Sequence, residues 1–285
     1  MGYETYCLIV PSPYFYMKEC LIDRYNITIT GNQDGQVVLF AHGFGCDQGM
    51  WRYMAPSFEA DHKVVRFDYI GHGHANLNAY NRERYASLHG YAQDVLDICQ
   101  ALDLQDVILV GHSVSSMIGA LACIREPDRF VRLIMVGPSP RYINDGDYYG
   151  GFEQEDIEGL LTMMDGNFFS WATSMAPAIM GNADRPQLGL ELRESFCRTD
   201  LDVAQQFARV TFYSDNRADL PKLKTPSLVI QSTDDIIAPI AVGEYVAQQT
   251  PNSRLCIITA TGHCPHLSAP VETTDAIRQY LASVN

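Results

Sequence analysis

The sequence lacks any apolar run that approaches the roughly 20 residues of a membrane-spanning helix. Its apolar runs are short, as in Val107–Val110 and Leu133–Val136. The N-terminus lacks the basic segment and long apolar stretch of a signal peptide, so we expect a cytoplasmic protein with no membrane partner. Basic residues are also few, with 20 Lys and Arg against 34 Asp and Glu and a formal net charge of −14. Because phosphate-binding surfaces need clustered Lys and Arg, we expect no nucleic-acid partner.

The eight cysteines include no CxxC pair, and several lie in apolar runs, where a free thiol behaves as a small hydrophobe. We therefore expect reduced cysteines. The glycines form no GxGxxG motif, which argues against a dinucleotide, and we expect no cofactor. The histidines of His72–His74 and His263–His266 invite a metal, but neither group has the paired Cys and His ligands of a structural zinc site. We expect no metal.

Short β-rich apolar runs alternate along the chain with amphipathic helical patterns. The predicted strands are Ile27–Thr30, Val37–Ala41, Val64–Phe67, Val107–Val110, Leu133–Val136, Leu228–Ile230 and Leu255–Ile258, and the predicted helices between them are Leu88–Leu102, Val114–Arg125, Ile240–Gln249 and Val271–Leu281. The strands are continuously apolar, which is typical of parallel strands buried on both faces. This alternation predicts an α/β fold with a mostly parallel central sheet and helices on both faces.

One stretch, from Pro138 to Leu220, has no strand pattern and carries helical segments instead. These segments are Phe152–Met164, Phe168–Met180, Leu188–Phe196 and Val203–Tyr213. We predict a single core formed by residues 1–137 and 221–285, with residues 138–220 inserted as a four-helix cap.

The motif that predicts chemistry is Gly111-His-Ser-Val-Ser115, which directly follows one predicted strand and precedes a helix. A serine on such a strand–turn–helix corner exposes its hydroxyl at the carboxyl end of the strand, as in the G-x-S-x-G nucleophile elbow. Ser115 replaces the last glycine with another small residue. The alternative is that Ser113 merely caps the helix. We favour Ser113 as a nucleophile because partners follow in the expected order.

Those partners lie in loops after two later strands. Asp234 and Asp235 follow the strand that ends near Ile230, and His263 follows the last strand. The order Ser, Asp, His matches a hydrolase triad, in which the histidine accepts the serine proton and the acid orients the histidine. The residues alone leave the choice between the two aspartates open.

The remaining site residues concern the oxyanion and the substrate. A Gly-rich loop, His42-Gly-Phe-Gly45, follows the strand Val37–Ala41, and we predict that the backbone N–H groups of Phe44 and Val114 form an oxyanion hole. A cap over the serine must turn apolar side chains toward it, so we predict a small, dry and aromatic pocket. Its predicted lining is Phe44, Phe152, Phe168, Trp171 and Phe207.

Several segments together resemble the α/β-hydrolase family, and within it the RsbQ-like group, which contains a bacterial stress-response regulator and the plant receptors for strigolactones and karrikins. The segments are His42–Gln48, Phe67–Gly71, Tyr91–Asp97, Gly111–Gly119, Val136–Pro140, Asn144–Phe152, Asp234–Pro239 and Gly262–His266. The resemblance implies a four-helix cap over a hydrophobic pocket. It also selects Asp235, four residues before Pro239, as the acid, and it implies a phosphatase-type protein partner.

Two functions remain open from the sequence. The first is a serine hydrolase that acts on a small hydrophobic ester or lactone through Ser113, His263 and Asp235. The second is a ligand-sensing signalling protein that turns over slowly and acts through a protein partner. A dehalogenase or epoxide hydrolase would need an aspartate at position 113, so that third reading is disfavoured.

Overall fold

A computed structural model of the chain describes residues 20–283, which surround one seven-stranded sheet. The strands are β1 Thr28–Gly31, β2 Gln36–Ala41, β3 His62–Arg66, β4 Val107–His112, β5 Phe130–Val136, β6 Ser227–Asp234 and β7 Ser253–Thr261. Their spatial order is β1-β3-β2-β4-β5-β6-β7. The β1 strand is antiparallel to β3, and every other neighbouring pair is parallel.

The helices follow the predicted pattern closely. They are α1 Leu88–Ala101, α2 Val114–Arg125, α3 Gln154–Gly166, α4 Phe168–Met180, α5 Pro186–Arg198, α6 Leu201–Phe212, α7 Ile240–Gln249, α8 Pro265–Ser268 and α9 Pro270–Ser283, and short 3-10 turns occupy Gln48–Trp51, Ala55–Phe58, Leu77–Ala79, Pro127–Arg129 and Leu220–Lys222. Each predicted strand has a counterpart in the sheet. The α/β class with a mostly parallel sheet is therefore confirmed.

Alternate side chains of the central strands serve two cores, one on each face of the sheet. In β4, Leu109 packs with α1 and α2, through residues such as Tyr91 and Ile118. Its neighbours Ile108 and Val110 point to the opposite face, in a cluster that includes Ile277 of α9. Successive side chains of a strand alternate between faces, so a strand covered on both sides must be apolar throughout.

The last strand differs from this expectation. On β7, Ile258 and Ala260 are buried, whereas Leu255 and Ile257 are exposed on the alternate positions. The β7 strand lies at the edge of the sheet. An edge strand is covered less completely than a central one, which explains the mixed burial.

Helices α3 to α6 lie in the chain between β5 and β6. The α3 helix packs against α4 and α6, and α4 packs against α5. Proline at the start of α5 fits there because the first helical N–H has no intrahelical partner. The limits of 138–220 for a separate cap stay a prediction.

Among residues 20–283, no helix combines the length and hydropathy needed to cross a bilayer.

Candidate functional site

Ser113 occupies a strained corner between β4 and α2. Its backbone has φ 56° and ψ −124°, a left-handed region that is costly for a residue with a side chain. The Ser113 N–H donates to the carbonyl of Val136, at 2.8 Å, which ties the corner to β5. Gly111 is needed here because a Cβ at that position would lie 2.3 Å from the carbonyl oxygen of Ser115. The corner therefore has the strand–turn–helix shape expected from the motif.

His263 links Ser113 to Asp235. Its Nε2 lies 2.7 Å from Ser113 Oγ, and its Nδ1 lies 2.8 Å from Asp235 Oδ2. Because the carboxylate accepts a proton from Nδ1, Nε2 is the atom left to accept the serine proton, and this tautomer is assigned from the partners. All three residues are buried. Loops after β4, β6 and β7 thus converge at the carboxyl edge of the sheet.

Asp235 is held by backbone donors as well as by His263. Its Oδ1 accepts from the N–H groups of Ile237, at 2.8 Å, and Ala238, at 3.1 Å. Burial alone would raise the pKa of the Asp235 carboxyl, but His263 and these donors hold it below its usual value. Asp234 is exposed and its side chain does not reach His263. The structure therefore pairs His263 with Asp235.

The loop after β2 passes directly beside Ser113. A Cβ on Gly43 would lie 3.3 Å from the Cβ of Ser113 and 2.5 Å from Nδ1 of His112, so only glycine allows this approach. Phe44 follows it in the loop, and Val114 is the first helical residue after Ser113. The predicted oxyanion donors are thus on the two segments that flank Ser113.

Behind this loop, His42 makes two ring contacts. Its Nδ1 donates to the carbonyl of Gly43, at 2.9 Å, and its Nε2 accepts from the N–H of Tyr69, at 3.1 Å. Burial lowers the pKa of His42, so its ring stays neutral. This arrangement fits a role in bracing the loop.

A small cavity opens onto Ser113 and His263. Besides these two residues, its lining is Phe44, Cys46, His112, Tyr142, Ile179, Leu192, Phe196, Thr211, Phe212, Ile237 and Cys264. The free volume is about 40 Å³. That space holds one or a few water molecules, whereas ligand pockets typically measure about 300–1,000 Å³. A substrate therefore needs displacement of the rings.

This lining differs from the predicted pocket, of which only Phe44 is present. Phe207 faces the core instead, where its ring stacks on Tyr91 at a centroid distance of 4.3 Å. Phe168 stacks on Trp171 at 5.7 Å, and Trp171 lies behind the Phe44 ring, at 6.2 Å from it.

Phe152 is also outside the lining. It precedes α3 in an extended segment, where its N–H donates to the carbonyl of Tyr142. Besides Phe44, three aromatic side chains line the cavity and are absent from the predicted lining, namely Tyr142, Phe196 and Phe212. Aromatic content predicts that some rings face the serine, but it does not predict the rotation of each helix.

One hydroxyl group in this cavity lacks a hydrogen-bond partner among the described residues. It is Oγ1 of Thr211, and both Thr211 and Tyr142, whose phenol lies beside the Ser113 hydroxyl, are 1% exposed. Burial raises the pKa of Tyr142 to about 12, while the neighbouring Ser113 hydroxyl acts in the opposite direction. Periodicity could have found Thr211, because it lies four residues after Phe207 and eight after Val203 on the buried side of α6.

One group of potential metal ligands lies beside the site within residues 20–283. The ligand atoms of His112, Cys264 and His266 are within 4.8 Å of one another, and all three residues are buried. The Nε2 of His112 bonds to the carbonyl of His263, at 2.8 Å. Burial raises the pKa of the Cys264 thiol well above its usual value. We assign no metal to this group.

The sheet topology, the inserted helices and the corner serine define the class of protein. Residues 38–276 match the model of the "Alpha/beta hydrolase family", and the chain belongs to this family. The predicted hydrolase class is thereby confirmed.

Individual relatives narrow the comparison. The chain is 40% identical to "Karrikin insensitive 2 receptor CA" of Petunia hybrida over 250 residues, 87% of this chain and 92% of the relative. It is 35% identical to "Strigolactone esterase D14" of Arabidopsis thaliana over 262 residues, 92% of this chain and 97% of the relative. A solved structure of olei00960, a hydrolase from Oleispira antarctica, is 45% identical with a TM-score of 0.91, covering 94% of this chain and 98% of that one. The predicted resemblance to these receptors is confirmed, while the grouping with RsbQ stays a prediction.

Proposed function

We propose that the protein is a serine hydrolase that cleaves small hydrophobic esters or lactones through Ser113, His263 and Asp235. The observation that carries this proposal is the chain of hydrogen bonds from Ser113 Oγ to His263 Nε2 and from His263 Nδ1 to Asp235, at 2.7 and 2.8 Å. These distances lie within the range at which a general base can take a proton from its nucleophile.

In the proposed mechanism, Ser113 Oγ attacks the substrate carbonyl as His263 accepts its proton. The backbone N–H groups of Phe44 and Val114 stabilise the negative oxygen of the tetrahedral intermediate. His263 then gives the proton to the departing alcohol, which stays attached to the acyl group when the substrate is a lactone. Water attacks the acyl-enzyme with His263 again acting as base, and Ser113 is restored.

Asp235 acts through His263 in this scheme. It keeps the proton on Nδ1 and stabilises the imidazolium that forms during each proton transfer. The N–H groups of Ile237 and Ala238 keep the carboxylate in place and ionised, which supports this role.

The cavity supports a compact, mainly apolar substrate. Its walls are mainly aromatic and aliphatic side chains. The centroid of the Phe44 ring lies 5.9 Å from that of Phe196 and 6.1 Å from that of Phe212. The unpartnered hydroxyl of Thr211 favours a substrate that carries a further oxygen besides the ester group. A few polar groups in an apolar pocket commonly fix the orientation of a ligand in this way.

A second candidate function is ligand perception with slow turnover and a protein partner. The small cavity favours it, because a bound ligand must shift the surrounding rings and thereby change the balance between two arrangements of the helices. The similar protein of Petunia hybrida is named as a receptor, which adds support. A phosphatase-type partner and a cytoplasmic location belong to this candidate as further proposals.

The test of the proposed hydrolase is the hydrolysis of a small aryl ester by Ser113→Ala. We expect kcat to fall by up to about 10⁶-fold, because loss of a triad serine removes covalent catalysis. Ser116→Ala is the matched control, since Ser116 is also buried in α2 but bonds to the carbonyl of Gly111. Activity that survives in Ser113→Ala would refute the proposed nucleophile. Comparing the single-turnover rate with the steady-state rate separates the two candidate functions.

A further inference from the structure

Ser115 stands where the usual elbow has glycine, and its hydroxyl bonds to the loop that carries Phe44. Ser115 Oγ donates to the carbonyl of His42, at 2.5 Å. The phenol of Tyr69 lies 3.0 Å from the same Oγ. Because Ser115 has only one hydroxyl proton and donates it to the His42 carbonyl, Tyr69 must be the donor to Ser115. The bonds therefore run in one direction, from Tyr69 through Ser115 to His42.

Tyr69 reaches His42 by a second route. Its backbone N–H donates to His42 Nε2, at 3.1 Å, and the opposite ring nitrogen donates to Gly43. His42 is thus held at its carbonyl by Ser115 and at its ring by Tyr69. Both holding residues are completely buried, so water does not compete for these bonds.

Tyr69 is itself fixed by aromatic packing. Its ring packs edge to face against three others, with centroid distances of 5.0 Å to Phe67, 5.6 Å to Tyr91 and 6.2 Å to Phe207 of α6. Burial also raises the pKa of the Tyr69 phenol, which keeps it a neutral donor. The hydroxyl that supports Ser115 is therefore aimed before any substrate arrives.

The position of this loop matters because Phe44 lies two residues after His42. An oxyanion donor must lie about 2.7–3.1 Å from the oxygen that becomes negative, and a displacement of 1 Å can cost on the order of 10²-fold in rate. We propose that Ser115 is a positioning residue, whose bond to His42 holds the Phe44 N–H at the working distance from Ser113, with Tyr69 orienting the Ser115 hydroxyl. This inference rests on the proposed hydrolase function.

The chain supplies a matched control in the next residue. Ser116 is also completely buried in the first turn of α2, and its Oγ donates to the carbonyl of Gly111, at 3.0 Å. That bond stays within the corner between β4 and α2 and does not reach the loop of Phe44. Serine-to-alanine changes at positions 115 and 116 therefore delete the same atom and differ in the segment that loses its support.

The experiment measures kcat and KM for a small aryl ester, together with the rate of inactivation by an aryl phosphonate, whose adduct places a negative oxygen in the oxyanion hole. For Ser115→Ala we expect kcat and the inactivation rate to fall in parallel by about 10–100-fold, with KM within about threefold, because the lost support acts on the intermediate. The pH profile of kcat/KM should keep its midpoint, since His263 and Asp235 are untouched. Ser116→Ala should stay within about threefold in every measurement.

Tyr69→Phe is the second variant and keeps the volume of the ring. We expect a smaller loss in the same direction, about 3–10-fold, and no additional loss when it is combined with Ser115→Ala, because the phenol acts through Ser115. This variant also tests the inference if Ser115→Ala fails to fold.

Three outcomes overturn the inference. They are a kcat for Ser115→Ala within about threefold of the parent, an effect confined to KM, or equal losses in the Ser115 and Ser116 variants. With any of these, the proposed hydrolase stands if Ser113→Ala is still inactive. Activity in Ser113→Ala instead removes the proposed function itself, so the two failures are distinguishable.

Discussion

The two walls of the cavity are built in different ways. On the sheet side, Ser113, His263 and Asp235 are joined by hydrogen bonds of 2.7 and 2.8 Å. On the side of the inserted segment, aromatic rings pack together and the Thr211 hydroxyl has no hydrogen-bond partner among the described residues. The three residues of the sheet side are bonded to one another, whereas the helical side keeps this hydroxyl available.

This difference suggests a division of roles, with the reaction on the sheet side of the cavity and the choice of ligand on the helical side. Hydrogen bonds are directional and fix atoms closely, which a proton transfer needs. Contacts between apolar side chains are less directional, so a wall of rings can repack around a ligand. We therefore propose that the sheet edge supplies a constant reaction geometry, and we attribute the choice of ligand to the helical wall.

The two walls are nevertheless connected at defined points. The N–H of His263 donates to the carbonyl of Ile179 at the end of α4, at 2.9 Å. Ser195 of α5 donates to the carbonyl of Gly45, next to Phe44, also at 2.9 Å. We therefore expect a shift of these helices to move His263 and the loop that carries Phe44.

Among the variants that compare the two walls, the largest effect is expected on the sheet side, from Asp235→Asn. The amide favours the wrong His263 tautomer, so kcat should fall on the order of 10⁴-fold with little change in fold. Asp234→Asn is the control, because Asp234 is exposed and lies one residue away. Steady-state kinetics on an aryl ester check both variants, and a greater loss in Asp234→Asn would reverse the assignment of the acid.

A smaller effect is expected on the helical side, from Thr211→Val. This change removes the unpartnered hydroxyl and keeps the shape of the side chain. The kcat/KM for an ester with an added hydroxyl or ether oxygen should fall by about 10-fold, because a neutral hydrogen bond contributes roughly 0.5–1.5 kcal/mol. The deoxy analogue of that ester is the control substrate and should be unaffected. Equal changes for the two substrates would show that Thr211 does not select oxygen.

We expect acid to destabilise the fold through His72, which lies between the sheet and α6. Its ring lies 5.3 Å from that of Phe207 in α6, and burial, with His42 beside it, lowers its pKa to about 3. Below pH 6.5, His72 becomes protonated in the unfolded chain but stays neutral in the folded protein. The free energy of unfolding therefore decreases as the pH falls toward 3. At pH 5 the loss in the free energy of unfolding is about 2 kcal/mol, because pH 5 lies 1.5 units below the pKa of the unfolded histidine and each unit corresponds to 1.36 kcal/mol.

Urea unfolding at pH 7 and pH 5 tests this prediction. His72→Gln should lose about 2 kcal/mol less than the parent between the two pH values, because its side chain does not titrate. His89→Gln, at an exposed position, should behave as the parent does. An identical pH response in all three proteins would contradict the assignment to His72.

The smallest effect concerns movement within the helical wall. The α3 helix packs on α4 and α6, whereas α5 is held to the loop that carries Phe44 by Ser195 and by an ion pair between Arg198 and Asp47, at 2.8 Å. We expect a reactive ester to change amide hydrogen exchange more in α3 than in α5, and least in the sheet. Mass spectrometry of peptic peptides measures this, and an unchanged α3 would favour a plain hydrolase over a sensor.

The position of the three proposed catalytic residues at one edge of the sheet could be predicted, because chain order and topology determine it. Parallel strands bring their carboxyl ends to one edge, so residues directly after β4, β6 and β7 lie along the same edge of the sheet. The choice of Asp235 over Asp234 came from family resemblance, and the residue pattern alone left it open. The exposed face of β7 escaped prediction, since apolar composition does not reveal which strand is at the edge.

The helical side was harder to predict for a geometric reason. Phe207 and Phe212 are five residues apart in α6, which places them roughly 140° apart around the helix, so they face different surroundings. One packs on Tyr91 and the other lines the cavity. Composition records both as aromatic, and only the packed structure distinguishes them.

Covalent labelling tests the central claim, that Ser113 is the nucleophile, most directly. The protein is treated with an aryl phosphonate, digested, and the modified residue is located by mass spectrometry. We expect one adduct, on Ser113, formed much more slowly in Asp235→Asn, because the serine then lacks a correctly oriented base. An adduct on another residue with Ser113 unmodified would contradict the account.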